Sequence, residues 1–362
     1  MSESLRKTPL WNRHVELKAR LVPFSGYEMP VQYTGVVDEH QSVRSAAGLF
    51  DVAHMGALDV EGPHAEAFLN HALTRKVGVA VGRAVYSLLC LEGGGTVDDL
   101  IVYRLAPERF RLVLNAGNKD KDFAHLRSLP GADRVRFTSR FEDLSILALQ
   151  GPKVPEILKA MGFEGEWPRP FRYLETRLLG RFEVGFGTTG YTGEIGGEIF
   201  VKSSEASDFW AELMRVGAPF GLKPVGLGAR DTLRTEMGYS LYGHELSESI
   251  DPIEAGLEWA VSFDKDFVGK GAIERSRLAP RRKIVALKRD SRQAPRAGMS
   301  VHDAAGAKVG EVTSGTFAPS LGYAIGLALV EASAPGPYFV DIRGEKIPFE
   351  TTERPFHKKQ GA

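Results

Sequence analysis

The sequence predicts an α+β fold in which antiparallel sheets are covered by helices, and three observations carry that prediction. Apolar residues alternate in Phe110, Leu112 and Leu114, and again in Phe182, Val184 and Phe186, which is the period of half-buried strands. Between such segments Phe68, Leu69 and Leu73, and later Phe209, Trp210, Leu213 and Met214, recur at the spacing of one apolar helix face. Beyond Pro280, strands broken by Gly and Pro turns run to Phe349, as in an all-β module such as a small barrel.

The elements follow from these patterns in chain order. After the Phe110 strand, Asn118 precedes a polar, charged start and then Phe123 and Leu126, so a helix capped at Asn118 is expected there. The strand therefore hands over to a helix near Asn115, an open turn between rigid elements where side chains commonly meet a ligand. The basic stretch Arg275 to Lys283 marks a boundary, giving a mixed region over 1–277 and a β domain over 278–362. The uncharged run Val312 to Val330 is interrupted by Pro319 and by Ser, Thr and Gly, and so reads as buried strands and turns rather than a membrane span.

Composition narrows the function. At 362 residues the chain exceeds a single compact core, and 43% hydrophobic with 25% charged residues is an ordinary globular balance. Lys plus Arg and Asp plus Glu both total 46, which leaves no excess positive charge for a nucleic-acid backbone. The lone Cys90 cannot form an internal disulfide, and the charged start Met1 to His14 lacks the apolar run of a signal peptide, so a cytoplasmic location is expected.

Several catalytic patterns fail on inspection. Gly93, Gly94 and Gly95 lack the spacing of a phosphate loop, and the run from Gly238 to Tyr242 lacks the second glycine of a nucleophile elbow. His244 and Glu245 are not followed by a second His at zincin spacing, and no cysteine cluster exists, so no metal is expected. Cys90 lies in an apolar segment with no neighbouring cation or His, as a buried structural thiol would.

Three sites remain. Asp98 and Asp99 stand between a glycine turn and the apolar strand Leu100 to Tyr103, where alternation sends them to opposite faces; the residues alone leave open a solvated turn or a catalytic acid. Glu198 follows Gly196 and Gly197 at the head of a strand, either as an exposed strand carboxylate or as a ligand contact. Arg230, Asp231, Arg234 and Glu236 alternate in sign along a helical stretch, which structural ion pairing or anion binding by Arg230 would each explain.

The flanking text resolves these choices by resemblance. Pro30 to Tyr33 (PVQY), Leu49 to Gly56 (LFDVAHMG), Gly93 to Tyr103 (GGGTVDDLIVY) and Leu149 to Pro152 (LQGP) resemble the aminomethyltransferase (T-protein) family of the glycine cleavage system. So do Gly190 to Ile199 (GYTGEIGGEI), Gly228 to Glu245 (GARDTLRTEMGYSLYGHE) and Val312 to Leu321 (VTSGTFAPSL), so that the likeness covers nearly the whole chain. It implies a three-lobed folate-binding fold of two ferredoxin-like parts plus a C-terminal β-barrel. It also implies transfer of an aminomethyl carbon from the dihydrolipoyl arm of H-protein to tetrahydrofolate, giving 5,10-methylenetetrahydrofolate and ammonia. The implied partners are the lipoylated H-protein together with the glycine decarboxylase and dihydrolipoyl dehydrogenase components, with no nucleic acid and no membrane.

By the same resemblance Asp99 is the catalytic carboxylate and Asp98 its structural neighbour. Glu198 would accept from the amide and amino edge of the pterin at two points, Arg230 would hold an anionic tail, and Asn115 would be a polar contact. Met55, Tyr86, Tyr103, Val113, Tyr191, Tyr239 and Trp259 would line the ligand. The run Arg354 to Lys359 would add positive charge for that tail or for an acidic partner, or else be a solvated end. Thr96, Tyr323, Ser240 and Ser247 depart from residue types common in relatives. A folate-binding iron-sulfur maintenance factor of the same fold is the alternative, but that group carries a C-terminal cysteine motif, and here the single cysteine is Cys90. The folate domains fused to sarcosine or dimethylglycine dehydrogenases come with a flavin-binding half for which this chain has neither the length nor the glycine signature.

Overall fold

The computed structural model describes residues 4–358, which divide into two compact units. The first comprises 4–70, 76–86 and 100–231, and the second 71–75, 87–99 and 232–358.

The first unit contains a six-stranded sheet in the order Tyr173–Leu178, Phe182–Gly187, Gly196–Lys202, Leu144–Gln150, Ala47–Asp51, Leu222–Pro224. Its pairings are antiparallel except at the edge, where Leu222 to Pro224 runs parallel to Ala47 to Leu49. The helix Ala206–Gly217 buries the face that the sequence marks as apolar, with Phe209, Trp210 and Leu213 set against Leu147, Leu149, Ile199 and Val201. Phe182 meets Phe209 edge to face with ring centroids 5.1 Å apart, a favoured aromatic geometry. Residues 20–24 and 27–32 form a separate antiparallel ribbon in this unit.

A five-stranded sheet runs in the order Ala84–Cys90, Thr96–Ala106, Arg109–Leu114, Gly56–Glu61, Arg136–Ser139. The boundary between the units falls within its first two strands. The alternating Phe110 segment is a strand of this sheet, ending at Leu114 as expected, and the next helix is Lys119–Ser128. Asn118 occupies the capping position, but its side chain makes no capping hydrogen bond, so the helix begins where the sequence indicates without the expected device. Phe68 and Leu69 lie on the helix Ala65–Ala72, whereas Leu73 falls beyond its end in an isolated bridge to Leu89.

In the second unit the uncharged stretch forms the strands Lys308–Ala318 and Tyr323–Glu331 of a closed barrel. The barrel order is Arg282–Arg289, Tyr323–Glu331, Lys308–Ala318, Ser300–His302, Tyr338–Ile342, Glu345–Thr352, and the last strand pairs back onto the first. Leu287, Val301, Val312, Val330, Val340 and Phe349 fill it, the inward half of the alternating pattern. The α+β prediction and the C-terminal barrel therefore hold. Among the described residues no helix is long and apolar enough to cross a membrane.

Candidate functional site

Glu198 sits near the start of its strand and is 6% exposed, which removes the exposed-carboxylate reading. The Tyr103 hydroxyl donates to its Oε2 at 2.7 Å and the Thr189 hydroxyl donates to the same oxygen at 2.8 Å. The two hydroxyls also touch each other. Among the described residues no hydrogen bond to Oε1 is formed. Tyr103 is fully buried between the rings of Phe200 and Tyr173, with centroids 5.5 and 5.4 Å away. It offers no surface to a ligand. Burial, and then the charge of Glu198, push its phenol well above the usual range, so it stays a donor.

The turn between Phe182–Gly187 and Gly196–Lys202 carries Thr189 and Tyr191, and Gln150 shapes it from beneath. The Gln150 amide donates to the carbonyls of Thr189 and Gly197 at 3.3 and 3.4 Å, and its Oε1 accepts from the Thr192 hydroxyl at 2.8 Å. A side chain at Gly190 or Gly196 would strike Gln150, so glycine is required there for close approach. Arg44 anchors the outer limb through Glu194 at 2.8 Å and the Thr192 carbonyl at 2.6 Å.

Arg230 lies on the helix Leu227–Glu236, its guanidinium 4.8 Å from the centre of the Tyr191 ring. Among the described residues it has no carboxylate partner, whereas Arg234 pairs with Glu245 at 3.3 Å. Structural ion pairing thus explains Arg234 and not Arg230. Desolvation lowers the Arg230 pKa, with Tyr191 and Glu198 opposing that shift. A guanidinium stacked on an aromatic face keeps its donors for a planar anion.

The turn Val52 to Met55 holds a network that the sequence does not reveal. Asp51 accepts from the Thr8 hydroxyl at 2.6 Å, from the Ala53 N–H at 2.8 Å and from His14 Nε2 at 2.8 Å, while Tyr33 meets His14 Nδ1 at 2.9 Å. Burial alone would raise the Asp51 carboxyl, but His14, Thr8 and the Ala53 amide hold it below the usual range. From the other side the buried Lys119 ammonium donates to the Tyr27 hydroxyl at 2.8 Å and the His54 carbonyl at 3.2 Å. His54 is buried and drawn down to about 4, mainly by desolvation, with Asp51 opposing and Arg230 and Lys119 adding to the shift. Partners so distant in sequence leave no local signal.

Met55, Tyr86, Asn115 and Tyr191 are half-buried in this first unit, and Val113 is buried in its strand between Ala57 and Ile101. Asp99, Tyr239 and Trp259 belong to the second unit, where Tyr239 and Trp259 are exposed and Arg75 lies 5.5 Å over the Trp259 ring. Both aspartates are in the strand that starts at Thr96, so the solvated-turn reading fails. Asp98 is fully buried and Asp99 half-buried. Alternation puts Asp99, Ile101 and Tyr103 on one face of that strand and Asp98 on the other. The strand start is pinned where two departures from the family pattern meet, because the Thr96 N–H donates to the carbonyls of Ser247 and Ile250, both at 3.0 Å. The Thr96 hydroxyl donates again to Ile250, at 2.9 Å.

Cys90 is fully buried, and burial followed by the charge of Asp251 raises its thiol pKa, against a nucleophilic role. A groove of about 900 Å³ in the first unit is lined by Arg109, Arg111, Arg140, Tyr173 and Phe200 among others. Each of its arginines meets a carboxylate, Arg109, Arg111 and Arg140 sharing Asp59, with Glu61 also beside Arg109 and Asp143 beside Arg140, and Arg177 meeting Glu183. Among the described residues no cluster of three or more His, Cys, Asp or Glu is placed to hold a metal. The basic run reaches Arg354, which donates to the Gly238 carbonyl at 3.5 Å, and Lys359 lies outside the described residues.

Comparison with known proteins bears on this geometry. The profile of the GCVT N-terminal domain matches residues 10–265, and that of the glycine cleavage T-protein C-terminal barrel domain matches residues 282–358. The chain is similar to the aminomethyltransferase of Symbiobacterium thermophilum, with 44% identity covering 99% of each protein. It is also similar to that of Rubrobacter xylanophilus, with 44% identity covering 99% of this chain and 95% of the relative. A crystal structure of glycine cleavage system aminomethyltransferase T from Bartonella henselae superposes with a TM-score of 0.90, 36% identity and 98% coverage of both chains.

Proposed function

Since the chain belongs to the aminomethyltransferase (T-protein) family of the glycine cleavage system and is a one-carbon transferase, we propose that its acceptor is tetrahydrofolate and its donor the aminomethylated dihydrolipoyl arm of H-protein. It would act beside the glycine decarboxylase and dihydrolipoyl dehydrogenase components, in a reducing compartment. The domain division at 277/278 belongs to the same reading. The alternative as an iron-sulfur maintenance factor is not favoured.

The observation that carries the reading is a buried carboxylate with one open oxygen, Glu198, in the same unit as an arginine that has no carboxylate partner, Arg230. Glu198 would accept one N–H of the pterin edge, and Arg230 would hold the glutamate carboxylates of the folate tail. Met55, Tyr86, Asn115 and Tyr191 have exposed surface to offer the ring, as do Tyr239 and Trp259, while Tyr103 and Val113 would act from behind.

The reaction needs no protein nucleophile. The two folate nitrogens N5 and N10 each bond to the transferred carbon, the carbon–sulfur and carbon–nitrogen bonds of the donor break, and the two folate N–H protons end on the lipoyl sulfur and the departing ammonia. What the protein supplies is alignment of two substrates and compensation of the positive charge that develops on the carbon. Asp99 would supply the compensating charge, with its strand fixed at Thr96 by Ser247 and Ile250. Asp99→Asn should retain most folate affinity and lose roughly 100-fold or more in turnover, the scale of removing one charge-stabilising group. Ammonia release from aminomethyl-loaded H-protein and tetrahydrofolate measures it, and near-normal turnover would reject the role.

A further inference from the structure

We infer that Tyr103 and Thr189 are positioning residues that fix Glu198 with Oε2 withdrawn and Oε1 alone presented to the ligand, an inference that rests on Glu198 binding folate as proposed above. Three contacts join the two hydroxyls and Oε2, yet the hydroxyls carry only one proton each. Both protons therefore go to the two lone pairs of one oxygen in a space bounded by aromatic rings, and a carboxylate turned away from them would leave a buried hydroxyl proton without an acceptor.

The backbone is built to admit this arrangement. Gly187 pairs with Glu198 across the strands, and a side chain at Gly187 would collide with the Tyr103 ring. Two residues earlier a side chain at Gly185 would collide with Tyr173 in the same way. Glycine weakens a strand interior, and its recurrence at alternate positions marks close approach by another group. Here each glycine seats one tyrosine, and only the Tyr103 hydroxyl is directed onto the Glu198 carboxylate. Thr189 comes from the turn that Gln150 holds, so the second donor is set independently of the first.

A positioning role predicts a split between binding and turnover. Tyr103→Phe and Thr189→Val should each raise the tetrahydrofolate KM about 5- to 10-fold, as expected when a donor to a charged acceptor is lost. Their kcat should stay within about 2-fold of the parent, since the interaction is made before the transition state. Thr189→Ser keeps the hydroxyl and should restore the parental KM, and Glu198→Gln should raise KM as well. A parental KM in Tyr103→Phe and Thr189→Val, with KM raised in Glu198→Gln, overturns the positioning role and leaves the Glu198 assignment standing. A parental KM in Glu198→Gln overturns the assignment and the inference with it. Loss of kcat at constant KM in the hydroxyl variants also contradicts the inference.

Discussion

Two buried carboxylates in the first unit, Asp59 and Glu198, are treated in opposite ways. Asp59 Oδ1 accepts from Arg111 Nε at 2.7 Å, and Oδ2 accepts from Arg111, Arg109 and Arg140 at 3.0, 3.1 and 3.3 Å. Glu198 has two neutral donors on one oxygen. Charged donors on both oxygens of Asp59 make a structural joint between strands. Neutral donors that use half of Glu198 hold it still while leaving its charge for something that is not protein. The difference teaches that the state of the remaining oxygen, rather than burial, separates a carboxylate kept for folding from one kept for a ligand.

The largest expected effect falls on the structural member. Asp59→Ala strands the buried Arg111 guanidinium and should cost about 3–5 kcal/mol of stability, measured by denaturant unfolding. Its pH dependence has a definite sign. Burial would raise the Asp59 carboxyl, but Arg111 and then Arg109 bring it below the usual range, so its stabilisation is complete above about pH 4 and is lost as pH falls through the depressed folded value. Asp59→Asn should flatten that acid limb of the stability curve. Glu198→Gln, which keeps an oxygen for the Tyr103 and Thr189 hydroxyls, should shift the unfolding free energy by roughly 1 kcal/mol at most. A loss at Glu198 as large as that at Asp59 would break the comparison.

Arg230→Ala sharpens it from the cationic side. With no carboxylate partner to strand, the variant should fold normally and bind tetrahydrofolate roughly 10-fold more weakly in a titration, in line with losing one charge-assisted contact at a part-buried site. Unchanged affinity would make the Tyr191 stack a structural contact. The smallest effect belongs to Cys90. Cys90→Ala should turn over normally, and the native thiol should resist an aromatic disulfide reagent until the chain is unfolded.

Much of this was legible in the sequence where a local pattern carried it. Period-two alternation located the strands around Phe110 and Phe182, and the Phe209, Trp210, Leu213 face located its helix. Alternation at the strand start also separated Asp98 from Asp99. What stayed hidden was long-range pairing. Asp59 gathers Arg111 and Arg140 from 52 and 81 residues away, and His14 reaches Asp51 across 37. Tyr103 reads from sequence as a ligand wall because an aromatic at strand spacing looks the same whether it faces a cavity or another side chain. Gly185 and Gly187 were the available signal, two glycines at alternate positions of an otherwise apolar strand.

The most direct measurement is a crystal structure of the protein with tetrahydrofolate bound. The account predicts a pterin N–H within hydrogen-bond reach of Glu198 Oε1 while Tyr103 and Thr189 still hold Oε2. A pterin bound elsewhere, with Oε1 facing water, would contradict it.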